Sequence, residues 1–168
     1  MRIALETLLT LQKEALLQRF AIGGAIAASF YLEAVATEDL DIFAFISPQP
    51  SGFVLFTPLY ERIKALGGRV HNEHIVIGGW PVQILPAFNP LIEEAVLNAP
   101  LQRYEEIDVA VISASYLAAI ALQLGRAKDY QRVDDLISTG ACKIADLITL
   151  VQSHQLLDRW ERYVQQRT

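Results

Sequence analysis

With 168 residues, 52% of them hydrophobic and only 20% charged, the chain suits one packed domain, or one domain with a small helical annex, and not a disordered class. A net charge of −5 and a pI near 5.2 disfavour nucleic acid as a partner, since general nucleic-acid binders carry a basic face. A single cysteine, Cys142, leaves no internal disulfide or cysteine-rich metal site, no apolar run is long enough to span a bilayer, and Met1-Arg2-Ile3-Ala4-Leu5-Glu6 lacks a signal-peptide pattern, so no membrane and a cytoplasmic location are expected.

Apolar Ile3, Leu5, Leu8, Leu9, Leu16 and Leu17, with Glu6, Gln12, Lys13 and Glu14 between them, predict an amphipathic helix over 2–18. Phe20-Ala21-Ile22 reads as a short strand. Gly23-Gly24 then makes a tight turn, because glycine permits φ > 0 and close backbone approach. An alanine-rich helix follows over 25–34, and Leu40–Ile46 is a buried strand. Ser47-Pro48-Gln49-Pro50-Ser51-Gly52 is a loop. Thr57-Pro58 reads as an N-cap with proline at the first helical position, opening a helix that runs to Leu66 and stops at Gly67-Gly68.

His74–Ile77 and Pro81–Leu85 predict a hairpin through Gly78-Gly79. Asn89-Pro90 starts a helix to about Asn98, and Val109–Ile112 is a short strand. From Ser113 the chain reads as helical, with breaks near Gly125 and Gly140. This order predicts an α+β fold: a mixed β-sheet flanked by helices, with a helical C-terminal part. The expected division is a core over 1–112 and a helical extension over 113–168. A mean hydropathy of 0.28 reads as a dense core, with apolar surface left for a second copy of the chain or a protein partner.

Chemistry concentrates between Phe20 and Ile46. Asp39 and Asp41 open an apolar strand two residues apart, so their carboxylates project to one face while Leu40 points to the other. Paired carboxylates at the end of an apolar element call for a cation between them. A hard divalent ion such as Mg²⁺ suits oxygen ligands and bridges to phosphates. The glycine pair, at a strand-to-helix turn, is either a plain tight turn or a backbone cradle for phosphate.

Gly-Gly-x-Ala, a helix, then Thr37-x-Asp39-Leu40-Asp41-Ile42 resembles the signature of the nucleotidyltransferase superfamily shared with DNA polymerase β, nearest its small prokaryotic members of the abortive-infection toxin and minimal types. The motifs cover the first half well and the second half loosely. The resemblance implies Mg²⁺-dependent transfer of a nucleoside monophosphate from an NTP, ATP being the expected donor, to a hydroxyl acceptor. Asp39 and Asp41 would hold the metal and serve catalysis, and Gly23 and Gly24 would bind the nucleotide. Thr37 is either a turn residue or, by resemblance, a hydroxyl that steadies the loop holding the aspartates.

The resemblance also implies a third carboxylate on a later strand, and the matching position in Trp80-Pro81-Val82-Gln83-Ile84-Leu85 is Gln83. A neutral amide takes no proton at physiological pH. The alternative is therefore a catalytically impaired member of the fold, acting as a nucleotide-binding module or a toxin–antitoxin partner. Glu38 and Glu73 are the nearby acids that could substitute.

Arg126-Ala127-Lys128-Asp129 resembles an Arg-x-Lys-Asp segment of the abortive-infection type, in which the basic residues face the nucleotide and the aspartate braces the fold. Without the resemblance it is a solvated charge cluster at a helix junction. Where the family pattern has a further aspartate, this chain has Arg132. His71 and His74, at i and i+3, would fall on opposite faces of a strand and read as turn or surface residues rather than zinc ligands. Cys142 reads as core, and Tyr130, Trp160 and Tyr163 as helix-packing residues.

Overall fold

The computed structural model describes residues 1–33, 37, 39–47, 56–71 and 74–167. It contains a mixed α+β fold. In chain order the elements are α1 (Arg2–Lys13), β1 (Leu17–Ile22), α2 (Gly24–Ala28), β2 (Leu40–Ile46), α3 (Thr57–Ala65), β3 (Arg69–His71), β4 (His74–Ile77), β5 (Trp80–Pro86), α4 (Pro90–Leu97), β6 (Leu101–Tyr104), β7 (Ile107–Ala110), α5 (Ala114–Leu124), α6 (Ala127–Ser138), α7 (Ile144–Ser153) and α8 (Leu157–Gln165).

The main sheet has the order β1-β2-β5-β4-β3, with β6 and β7 forming a separate hairpin. β2 and β5 run parallel, while β1–β2, β4–β5 and β3–β4 are antiparallel. β2 is central and buried: Leu40, Ile42 and Ala44 are wholly inaccessible. That explains its near-continuous apolar sequence. The hairpin is tied to the sheet by a parallel bridge from Ile22 to Val111, with Ile112 N donating to Ile22 O at 2.9 Å.

α4 packs on β1 and β2, α1 packs on β1, β4 and β7, and α2 packs on β2. α5 links α2 and α4, which pack on the sheet, to α6, α7 and α8, touching all five. Its sequence suits that role, because Ala114, Ala118, Ala119 and Ala121 are buried and let neighbours approach closely. Gly125, at φ +69°, ends α5 in the left-handed conformation that glycine adopts without strain. The turn re-aims the chain into α6.

Several boundaries differ from the sequence reading. α1 ends at Lys13, and Ala15 takes a positive φ of 58°, so Leu17 starts β1 instead of finishing a helix. Leu17 pairs with Ile46 and is wholly buried; this tertiary pairing overrides the helical phase of Leu16 and Leu17. The alanine helix is only five residues, Gly24–Ala28. Phe56, not Thr57, occupies the N-cap of α3.

Strand β6 adds to the expected elements, and β3 extends the predicted hairpin. A third helix break separates α7 from α8, where Gln155 has a φ of 57°. Most of the proline-rich loop, residues 48–52, lies outside the described residues. No helix of the described residues is long and apolar enough to cross a membrane.

Candidate active site

The end of β2 where Asp39 and Asp41 lie opens into a cleft of about 360 Å³, also lined by Gly24, Gln83, Lys128 and Arg132. Its size is that of a small-molecule site. Asp39 is exposed, Asp41 is half-buried, and Leu40 between them is in the core. Burial pushes the Asp41 carboxyl up from its ordinary value, and the neighbouring Asp39 charge pushes it the same way; Arg132, Lys128 and Arg126 pull it down. The two carboxylates thus sit close enough to repel, facing cations across the cleft.

The glycine turn is locked onto this strand. Gly23 N donates to Asp41 O at 2.9 Å. Gly24 has φ +58°, and a Cβ there would land on Asp41 Oδ2. A Cβ on Gly23 would land on the Phe43 ring. Glycine is needed at both positions, at the second for conformation as well as for space. Gly24 lines the cleft and Gly23 does not; the Gly23 N–H is already committed to Asp41. Thr37 does not line the cleft either: its Oγ1 lies 3.3 Å from Asp39 N, which donates to it. The contact holds the turn before Asp39.

Gln83 and Asp41 are register partners on the parallel pair β5 and β2. Both line the cleft, so the position beside Asp41 carries a neutral amide. Among the described residues no group of three or more His, Cys, Asp or Glu side chains could hold a metal. Glu38 and Glu73 lie outside the described residues.

Two carboxylates on one wall, one of them held above its ordinary pKa by burial and by its neighbour, do fit a single Mg²⁺. Such an ion takes one or two protein carboxylates and completes its shell with water and substrate phosphates. Asp39 and Asp41 would hold it, with the Gln83 carbonyl available as a third oxygen.

α6 supplies the opposite charge. Its first turn is a capping box in which Asp129, wholly buried, accepts from Arg126 N at 3.2 Å, Arg126 Nε at 2.6 Å and Arg126 Nη2 at 3.1 Å. Arg126 lines the cleft, but its guanidinium is bound to Asp129. Lys128 and Arg132 follow one turn apart on the helix, and both line the cleft facing Asp41. Arg132 is a site residue that the sequence reading misses; its i, i+4 spacing from Lys128 is the available signal.

The remainder of the cleft is largely apolar, walled by Leu85, Phe88, Ile92, Leu117, Ile120 and Leu124, with Gln123 the polar exception. Phe88 keeps 67% of its surface exposed at this end. Periodicity alone does not reveal this wall, because its residues come from a strand, a loop and two helices.

The other sequence candidates lie elsewhere. His71 and His74 are cross-strand partners on β3 and β4, not residues of one strand, so the opposite-face expectation does not apply. Cys142 is buried, 2% exposed. Tyr130 and Trp160 pack on Tyr163 with ring centroids 5.6 and 5.4 Å away, joining α6 to α8.

No family model matches the chain, and no curated protein matches it in sequence. Solved structures do. The antibiotic-resistance factor ANT(2″)-Ia in solution aligns over 98% of this chain and 96% of its own, with a TM-score of 0.53 and 17% identity. An antigenic nucleotidyltransferase-like protein from Paracoccidioides brasiliensis aligns over 88% and 80%, at 0.54 and 15%.

The chain has the nucleotidyltransferase fold. A crystal structure of ANT(2″)-Ia with adenylyl-2″-tobramycin also aligns, over 98% and 97% of the two chains, with a TM-score of 0.50 and 17% identity. At such identities the likeness concerns the nucleotidyltransferase fold itself, across nearly the whole length of the chain.

Proposed function

We propose that the protein is a Mg²⁺-dependent nucleotidyltransferase, moving a nucleoside monophosphate from an NTP to an acceptor hydroxyl. The observation that carries this reading is the cleft in which Asp39 and Asp41 face Lys128 and Arg132. Residues 1–112 would form the catalytic core and 113–168 the wall bearing the cations. ATP is the first donor to test, since one structure of the same fold holds an adenylylated product. The narrower likeness to abortive-infection toxins rests on the Gly-Gly-x-Ala and Thr37-x-Asp39-Leu40-Asp41 motifs and on Arg126-x-Lys128-Asp129.

Bound Mg²⁺ supplies electrophilic activation of the phosphoryl group and neutralises charge that develops on it. Lys128 and Arg132 neutralise and orient the triphosphate, as ammonium and guanidinium groups do for phosphate oxygens. The acceptor oxygen forms a bond to the α-phosphorus in line with the bond to the leaving oxygen. That bond breaks, and pyrophosphate departs with the electron pair.

The acceptor proton must leave as well. Gln83 can hydrogen-bond the hydroxyl and fix its direction, but it cannot take the proton, which passes to solvent water. A missing base lowers a rate by roughly 10²–10⁴-fold. Positioning and charge neutralisation, which contribute more to phosphoryl transfer than the base does, are retained. A slow transferase is the expected behaviour.

Gln83 also favours a second reading: a nucleotide-binding module that has lost transfer and works with a protein partner, such as one half of a toxin–antitoxin pair. Calorimetric titration with each NTP, with and without Mg²⁺, tests the shared premise. Metal-dependent binding, abolished by the Asp39→Asn/Asp41→Asn double substitution, is the expected result. Absence of binding at millimolar NTP would overturn both readings. Pyrophosphate release separates the transferase from the module.

A further inference from the structure

Asn89 is the N-cap of α4, and its Oδ1 accepts from Ile92 N at 2.9 Å. That bond fixes which way the amide points, because only the oxygen can accept. Its Nδ2 is therefore turned to Gln123, donating to Gln123 Oε1 at 3.1 Å. The second amide is fixed in turn. Gln123, near the end of α5, lines the cleft with its oxygen occupied, so the group it offers there is the Nε2 donor. None of the hydrogen bonds found among the described residues uses that nitrogen as it faces the cleft. The relay runs from a backbone N–H through two side chains to a donor whose polarity the fold dictates.

This donor lines the same cleft as the exposed Phe88, Ile92 and Leu124. Asp39, Asp41, Lys128 and Arg132 line the same cleft. A flat aromatic surface beside a single directed polar group suits a nucleobase, since stacking is sequence-tolerant and the polar group supplies the selection. A glutamine with both amide atoms free reads adenine bidentately through its acceptor and donor edges. With Oε1 turned to Asn89, Gln123 presents its Nε2 donor to the cleft.

Resting on the nucleotidyltransferase reading above, we propose that Gln123, oriented by Asn89, reads the base of the bound NTP and selects an exocyclic keto oxygen over an exocyclic amine. GTP and UTP are then preferred to ATP and CTP, against the ATP that the resemblance and the adenylylated product held by one structure of the same fold suggest. The preference comes from matching one donor to an acceptor, where an amine would bring two donors together.

The test is calorimetric titration of the whole protein with ATP, GTP, CTP and UTP in Mg²⁺. One hydrogen bond of this kind gives a preference of roughly three- to tenfold for the keto bases. The Asn89→Asp variant keeps an oxygen for the Ile92 N–H but can no longer donate to Gln123. Gln123 then turns its Nε2 to the new carboxylate and its Oε1 to the cleft, and the preference reverses toward ATP and CTP. Gln123→Leu makes the four affinities equal, and Phe88→Ala weakens all four together.

A wild-type preference for ATP, or a keto preference that Asn89→Asp leaves unchanged in a folded protein, overturns the base-reading role while leaving nucleotide binding intact. Failure of the folded wild type to bind any NTP overturns the nucleotidyltransferase reading, and this inference with it.

Discussion

Asp41 and Gln83 face one another across the parallel pair β2–β5, as register partners in the wall of one cleft. In a parallel pair, register partners point to the same face of the sheet, so a carboxylate at 83 would stand beside the Asp41 carboxylate. The amide there removes one negative charge and one potential base from the site. Gln83→Glu restores both. The expected outcome is a gain in pyrophosphate release of roughly 10²–10⁴-fold in Mg²⁺, with NTP affinity little changed. Robust wild-type activity that the substitution leaves unaltered would show that the acceptor proton leaves by another route.

Gly24→Ala tests how tightly the glycine turn is coupled to Asp41. The backbone at +58° costs an alanine about 1–2 kcal/mol, and the added methyl competes with Asp41 Oδ2 for one position. The expected result is a folded protein with a lower melting temperature and no measurable NTP binding. Gly23→Ala differs in kind. Its φ of −119° suits any residue, but its methyl would strike Phe43, which is only 8% exposed. Loss of stability should therefore exceed that of Gly24→Ala. Circular dichroism melts on both variants check the order.

The raised Asp41 pKa sets a pH dependence with a definite sign. A folded carboxyl that holds its proton more tightly than the unfolded one makes stability fall as pH rises. At acid pH, below the ordinary carboxylate value of about 3.9, both states keep the proton and there is no penalty. Stability then declines as pH climbs from that value to the folded pKa, and the loss persists at neutrality. Asp41→Asn removes the titration. In chelator, to exclude metal, the variant should melt above wild type at pH 7 and level with it at pH 3. A wild type that melts higher at pH 7 would mean that Arg132 and Lys128 outweigh burial and Asp39.

The sheet centre was legible because its chemistry is local. Asp39-Leu40-Asp41 carries its own alternation, and Gly24 and Gly78-Gly79 mark turns through backbone requirements that few residues other than glycine meet. Asn89-Pro90 likewise announces a helix start. What could not be read depends on partners distant in sequence. Leu17 belongs to β1 because Ile46 pairs with it, and Leu101–Tyr104 forms a strand because Ile107–Ala110 folds back on it. Arg132 becomes a site residue only once α6 is turned toward β2. The α6 turn itself follows from Gly125 and the Arg126–Asp129 capping box, and both were visible without their consequence.

That capping box supports a comparison between two arginines. Arg103 makes ion pairs with Glu106 and Asp108, yet all three side chains are more than half exposed, so water competes for every charge. Arg126 has one ion-pair partner among the described residues, Asp129, which has no exposure at all. Removing the guanidinium of Arg126 leaves a buried carboxylate with one backbone N–H in place of three donors. An unsatisfied buried charge of this kind costs about 1–3 kcal/mol. Arg126→Ala should therefore lower the denaturant midpoint clearly, while Arg103→Ala leaves it within error. Because Asp129 also fixes the first turn of α6, the Arg126 variant should bind NTP more weakly through displacement of Lys128. Equal midpoints for the two variants would mean that solvent reaches Asp129 and that the box does not hold the cationic wall in place.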